Sequence, residues 1–129
     1  MKTLKLIIPH SMRKKDFGKE IDKNQLQVIK KAFSKPFLPL SGKGLRIPKK
    51  TKLIKTYATS LNGAIRIVFL LLLENKNKVL LFYKPKKDKK IGENITLKNK
   101  DFVVELEKRL LQINKDYINN EYEVITIDK

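Results

Sequence analysis

Ten consecutive residues, Ala64 to Leu73, are apolar except for one arginine, Arg66. The run is rich in β-branched and aliphatic side chains, which is the pattern of a central strand covered on both faces. Asn62-Gly63 precedes it as a tight-turn signal, and Glu74 to Asn77 reads as the turn that follows. A strand from Leu53 to about Thr59 and another from Lys78 to Tyr83 then flank the run. Three strands joined by two short turns make an antiparallel meander, and the rest of the chain must pack around it.

Leu4 to Pro9 reads as a further strand, ended by Pro9. Asp16 is a candidate helix cap. Phe17, Ile21, Leu26, Val28, Ile29 and Phe33 recur at near-helical spacing to Ser34, with Gly18 and Asp22–Asn24 dividing this section into two short helices as the alternative to one. Pro36 and Pro39 close it. Lys35 to Lys52 reads as a basic loop, with Pro36, Pro39, Gly42, Gly44 and Pro48 inside it. A second helix is predicted from a cap at Asn99 to about Lys115, with Phe102, Leu106, Leu110 and Ile113 on one face. Glu121 to Asp128 reads as a last strand. No internal repeat is present. The 129 residues predict one α+β domain, an antiparallel sheet with helices packed on one face. Its core spans about 1–90, and a helix–strand extension follows over about 91–129.

Charge narrows the function classes. The net charge is +17, and it is uneven: residues 1–100 carry +20 and residues 101–129 carry −3. A folded body with that excess attracts polyanions, of which RNA and DNA are the commonest in a cytoplasm. A Lys-rich solubilising surface is the alternative, and an acidic protein partner fits the same charge. The absence of Cys excludes a disulfide framework, a thiolate nucleophile and Cys-based metal sites, and a single His10 excludes a His pair. Asp16, Glu20 and Asp22 form a candidate metal cluster, but Asp16 and Glu20 read as a solvated helical ridge, and the five Gly form no Walker- or Rossmann-type phosphate loop, so no metal and no cofactor is expected. No signal peptide and no membrane span is visible, which predicts a soluble, cytoplasmic chain with no membrane partner.

The most informative single residue is Arg66. A guanidinium on a central strand must reach solvent or find an anion, because an unpaired buried charge costs several kcal/mol. Either it pairs internally with an acidic group such as Glu105, or it faces an open groove and forks onto a phosphate, which its planar donors suit. Lys55 and Tyr57 on the preceding strand are placed to lie beside it. Tyr83, Lys84, Lys86 and Lys87 sit at the end of the following strand, and Tyr83 either stacks on a base or fills the core. The tract Lys84 to Lys90 holds five Lys in seven residues, a source of phosphate contacts and steep salt dependence.

The segment Lys52 to Lys87 resembles the RelE/ParE superfamily of bacterial toxins. The resemblance lies in a basic strand, a Gly-containing turn, the strand Ile65-Arg66-Ile67-Val68-Phe69, a short turn, and a strand ending Tyr83-Lys84-Pro85-Lys86-Lys87. The order of elements also fits, over roughly Leu4 to Lys90. The resemblance implies a RelE-like fold and a toxin of a type II toxin–antitoxin system. It implies an mRNA interferase, in which a ribose 2′-hydroxyl attacks the adjacent phosphate. By position, Arg66 matches the strand Arg that holds the scissile phosphate, with Lys55, Lys84 and Lys86 as further catalytic candidates. Lys52, Tyr57, Tyr83, Lys87, Lys89 and Lys90 are the nucleic-acid-binding candidates. The implied partners are mRNA, the ribosome as a possible platform, and an acidic antitoxin. The chain departs from the family in lacking a Tyr or His over residues 84–98, which leaves Lys89, Lys90 and Glu93 for proton transfer there, and in its extension past Lys90. Two alternatives stand beside this reading. One is a ParE-like or inactive relative acting by protein binding, and the other a basic nucleic-acid-binding module.

Overall fold

The structure, a computed structural model, describes residues 3–40 and 47–128. In chain order the elements are β1 (Thr3–Pro9), α1 (His10–Asp16), α2 (Lys23–Ser34), β2 (Leu38–Leu40) and β3 (Thr51–Ser60), then β4 (Gly63–Leu72), β5 (Lys78–Pro85), α3 (Lys100–Ile118) and β6 (Tyr122–Asp128). The strands form one α+β sheet in the order β2-β3-β4-β5-β1-β6. Every neighbouring pair is antiparallel except β1 with β5. The expected meander is β3-β4-β5, and Arg66 lies on its middle strand.

Local sequence explains most of these boundaries. Ser60 pairs with Gly63, so Leu61 and Asn62 form a two-residue turn, and Gly63 takes a φ of 116° that a side chain would resist. The helical section divides in two. Asp16 ends α1, and Asp22 begins α2 through a capping box, its carboxylate accepting from Gln25 N at 2.8 Å while Gln25 accepts from Asp22 N at 3.1 Å. Asn99 caps α3 by accepting from Asp101 N at 3.1 Å. The basic loop is not wholly irregular: Leu38–Leu40 pairs with Leu53–Lys55 as β2. Gly42 and Gly44 lie outside the described residues.

Helices cover both faces of the sheet, which corrects the expectation of one. Ile67 and Phe69 point toward α2, where they bury with Ile29, Ala32 and Phe33. Val68 and Leu70 point the other way, into a second core with Phe102, Leu106 and Leu110 of α3. A central strand apolar on both sides needs two covers, each fully buried aliphatic or aromatic side chain contributing about 1.5–3 kcal/mol. The section after Lys90 is built into the same fold, because β6 pairs with β1 along seven positions. No helix among the described residues is long and apolar enough to cross a membrane.

One irregularity fixes which side chains meet. Val68 pairs with Phe82 and Phe69 with Leu80, so Leu81 is an extra residue in β5. Val79, Leu81 and Phe82 consequently all bury on the α3 side, whereas Leu80 and Tyr83 bury on the α2 side. This bulge inverts the alternation beyond it.

Candidate nucleic-acid interface

Directly opposed positions of the meander place Tyr57, Arg66 and Lys84 in one row across β3, β4 and β5. Arg66 shares the parity of Val68 and Leu70, so its side chain leaves the sheet on the α3 side, past the end of the helix-covered core. The guanidinium carbon sits 4.0 Å from the centre of the Tyr57 ring. Arg66 is half-buried, and among the described residues it makes no ion pair and no side-chain hydrogen bond. Glu105, the internal partner considered from sequence, is instead engaged by Arg109 at 2.8 Å and by Lys15 at 3.0 Å. Lys55 lies on the same face, 5.9 Å from the Tyr57 ring centre, and its Nζ donates to the Ile95 carbonyl at 3.0 Å.

Lys84 joins this row but is not free. Its Nζ lies 3.0 Å from an Asp16 oxygen and 3.9 Å from an Asp88 oxygen. A cation held between two carboxylates has less charge to offer a substrate than an uncommitted one. Past it, the lysine tract is an ordered turn. Lys86 N continues the ladder by donating to Ala64 O at 2.9 Å, Glu93 N donates to Asp88 O at 2.7 Å, and Ile91 and Ile95 anchor the segment in the α3-side core. Gly92 is required there, because a Cβ would stand 2.0 Å from the Pro85 carbonyl oxygen. Asn99 closes the segment, donating to Lys90 O at 3.1 Å and to Asn94 O at 2.8 Å. Lys86, Lys87, Lys89 and Lys90 are all exposed on this turn.

Two candidates stand apart. Of the two fates open to Tyr83, the structure places it in the core: the Leu81 bulge turns it to the α2 side, where its ring packs 4.8 Å from Phe17 and only 7% of it is exposed. Burial, with the Asp22 carboxylate as a second cause, raises the pKa of its phenol, which keeps the group neutral. Lys52 alternates with Leu53 and shares the parity of Ile54, so it too belongs to the α2 side, away from Arg66.

The strongest ionic constellation was not singled out from sequence. Arg109 of α3 is 2% exposed and donates from Nη1 and Nη2 to the two Asp16 oxygens, each at 2.7 Å, and from Nη1 to Leu81 O at 2.6 Å. The Asp16 carboxylate, read as part of a solvated ridge, is fully buried and also accepts from Tyr83 N at 2.8 Å. This is the edge of β5 that β1 leaves open, since β1 pairs with β5 only around Leu6 and Ile7. The ion pair thus satisfies strand groups that a neighbouring strand would otherwise bond. Burial alone would lower the Arg109 pKa, but the hydrogen bond and charge of Asp16, then those of Glu105, outweigh it and hold the guanidinium firmly charged. Burial likewise works to raise the Glu105 pKa, and hydrogen bonds from Arg109 and Lys15 reverse it, leaving that carboxyl below its ordinary range.

The arrangement around Arg66 can bind an anion. It offers a planar fork of donors backed by an aromatic ring, a partly committed lysine, and an ordered turn of exposed lysines at the end of the same meander. Comparison with protein-family models, with curated proteins and with solved structures finds no match for this chain.

Proposed function

We propose that this chain is a RelE-like toxin that engages mRNA at the Arg66 end of its sheet, with an acidic antitoxin as its natural inhibitor. The observation that carries the reading is Arg66 itself, a guanidinium on a central strand that sits over the Tyr57 ring and bonds to no carboxylate among the described residues. The order strand, helical section, basic segment and three-stranded meander also supports it. In the cleavage step the 2′-hydroxyl gives up its proton as its oxygen bonds to the adjacent phosphorus, and the 5′-oxygen takes up a proton as its bond to phosphorus breaks, giving a cyclic phosphate and a 5′-hydroxyl. Arg66 would stabilise the charge that builds on the phosphoryl oxygens. Lys86 is the exposed amine closest in sequence to the row, and Lys55 would add charge.

A second reading is favoured by the committed state of two other candidates. Lys84 is paired with Asp16 and Asp88, and Lys55 donates to a backbone carbonyl. With no Tyr or His over residues 84–98, the same face would then grip its target without cutting it.

Expression in bacterial cells tests the reading. Wild type should arrest growth and Arg66→Ala should lose most of that effect. Primer extension on cellular mRNA then separates the two forms, since an interferase leaves new 5′ ends and a binding toxin leaves none. Harmless wild-type protein, or an equally toxic Arg66→Ala variant, would remove the proposal.

A further inference from the structure

We infer that Tyr57 is a positioning residue for Arg66: it acts on a bound phosphodiester through the guanidinium it supports and not by stacking on a base. The inference rests on the functional reading above and concerns the same site.

Arg66 is a long side chain on the α3 side of the sheet, beyond the part that α3 buries. Left alone, it would sample many rotamers, and ordering it on a ligand would weaken binding. Direct pairing in the β3–β4 ladder puts Tyr57 beside it, and the guanidinium carbon stands 4.0 Å from the ring centre. That contact sets the guanidinium over the face of the ring. No acceptor among the described residues takes its N–H donors. A phosphate oxygen pair is the acceptor such a planar fork fits. Tyr57 is itself 44% exposed, so trimming it opens no core cavity, and an effect on binding would not arise from unfolding. The neighbouring Lys55, 5.9 Å from the ring, adds positive charge beside the fork.

A base-stacking platform and a positioning residue make different predictions in a double-mutant cycle. Binding of a single-stranded RNA oligonucleotide would be measured for wild type, Tyr57→Phe, Tyr57→Leu, Arg66→Ala and the Tyr57→Leu/Arg66→Ala pair. Tyr57→Phe keeps the ring and should stay within about 2-fold of wild type. Tyr57→Leu should weaken binding about 3- to 5-fold with an unchanged salt slope, the range of an exposed cation–π contact. Arg66→Ala should weaken it about 10-fold or more and reduce the slope by about 0.7, one single-strand phosphate contact. In the Arg66→Ala background, Tyr57→Leu should add nothing. An undiminished Tyr57→Leu effect in that background would mean direct stacking on a base and would overturn the inference, as would no effect in the native background. If Arg66→Ala leaves binding intact, the functional reading fails and takes the inference with it. A ligand-free measurement separates these cases: the Arg66 Nε–Hε NMR signal should carry an upfield ring-current shift that survives Tyr57→Phe and disappears in Tyr57→Leu.

Discussion

Arg66 and Arg109 lie on the same side of the sheet, and their surroundings are opposite. Arg109 is sealed between α1, α3 and the edge of β5, with both Asp16 oxygens, a Glu105 oxygen and the Leu81 carbonyl taking its donors. Arg66 keeps its donors uncommitted and leans on an aromatic ring. One guanidinium completes the fold and the other remains available to a ligand. Sequence alone singles out Arg66, which stands out in an apolar run, and gives no sign of Arg109, which sits in the solvated-looking stretch Glu105-Leu106-Glu107-Lys108-Arg109. Local polarity does not report burial when a carboxylate 93 residues away supplies the partner.

Substitutions at the two arginines and around them should separate their roles. The largest effect should come from Arg109→Ala, which strands Asp16 without its main partner. A loss of about 3–5 kcal/mol is expected, read as a lower midpoint in urea unfolding. Replacing both charges, Asp16→Leu with Arg109→Met, should cost less than Arg109→Ala alone, since no buried charge is then left unpaired. Equal stability of Arg109→Ala and wild type would show that the buried pair is not structural. Arg66→Ala should shift unfolding by no more than about 0.5 kcal/mol while lowering RNA affinity, the reverse pattern. Alanine at Lys86, Lys87, Lys89 and Lys90 together should leave the fold intact and flatten the salt dependence of RNA binding by up to about 2.8 in slope. An unchanged slope would place the phosphates elsewhere.

A smaller effect follows from Glu105. Its carboxyl is held below the ordinary value of 4.5, so its contribution is full above the unfolded-state pKa and is lost as pH falls through the folded one. Glu105→Gln should therefore lose stability near neutral pH, and the deficit relative to wild type should shrink below about pH 4.5. A deficit that stays constant across that range would mean the charge of Glu105 contributes nothing.

Much of the fold was legible because its signals are local. The Ala64–Leu73 run, the turn before it and the Asn99 cap each act through neighbours within a few residues. Leu38–Leu40 is hidden in the sequence because three residues with Pro39 in the middle make a weak strand pattern, and only pairing with β3 makes it a strand. The two-sided covering is implicit in a strand apolar but for Arg66, yet nothing in the sequence past Lys90 marks that section as the second cover. For the site, the Tyr57–Arg66 neighbourhood followed from meander pairing, whereas the faces of Tyr83 and Lys84 did not. Their placement turns on Leu81, an extra residue that moves Lys84 to the side of Arg66 and Tyr83 away from it.

The amino-acid sequence by itself determined the meander, the capped helices, the excess of positive charge over residues 1–100 and the presence of one arginine in the most apolar strand, since each is set by residue type and short spacing. Only the tertiary structure decided which cations stay available. Lys84 is drawn to Asp16, Asp16 to Arg109, and Arg66 to no carboxylate among the described residues. The physical reason is that charge pairing depends on distance in space, and a single bulge or an uncovered strand edge resets those distances without leaving a mark in the local pattern.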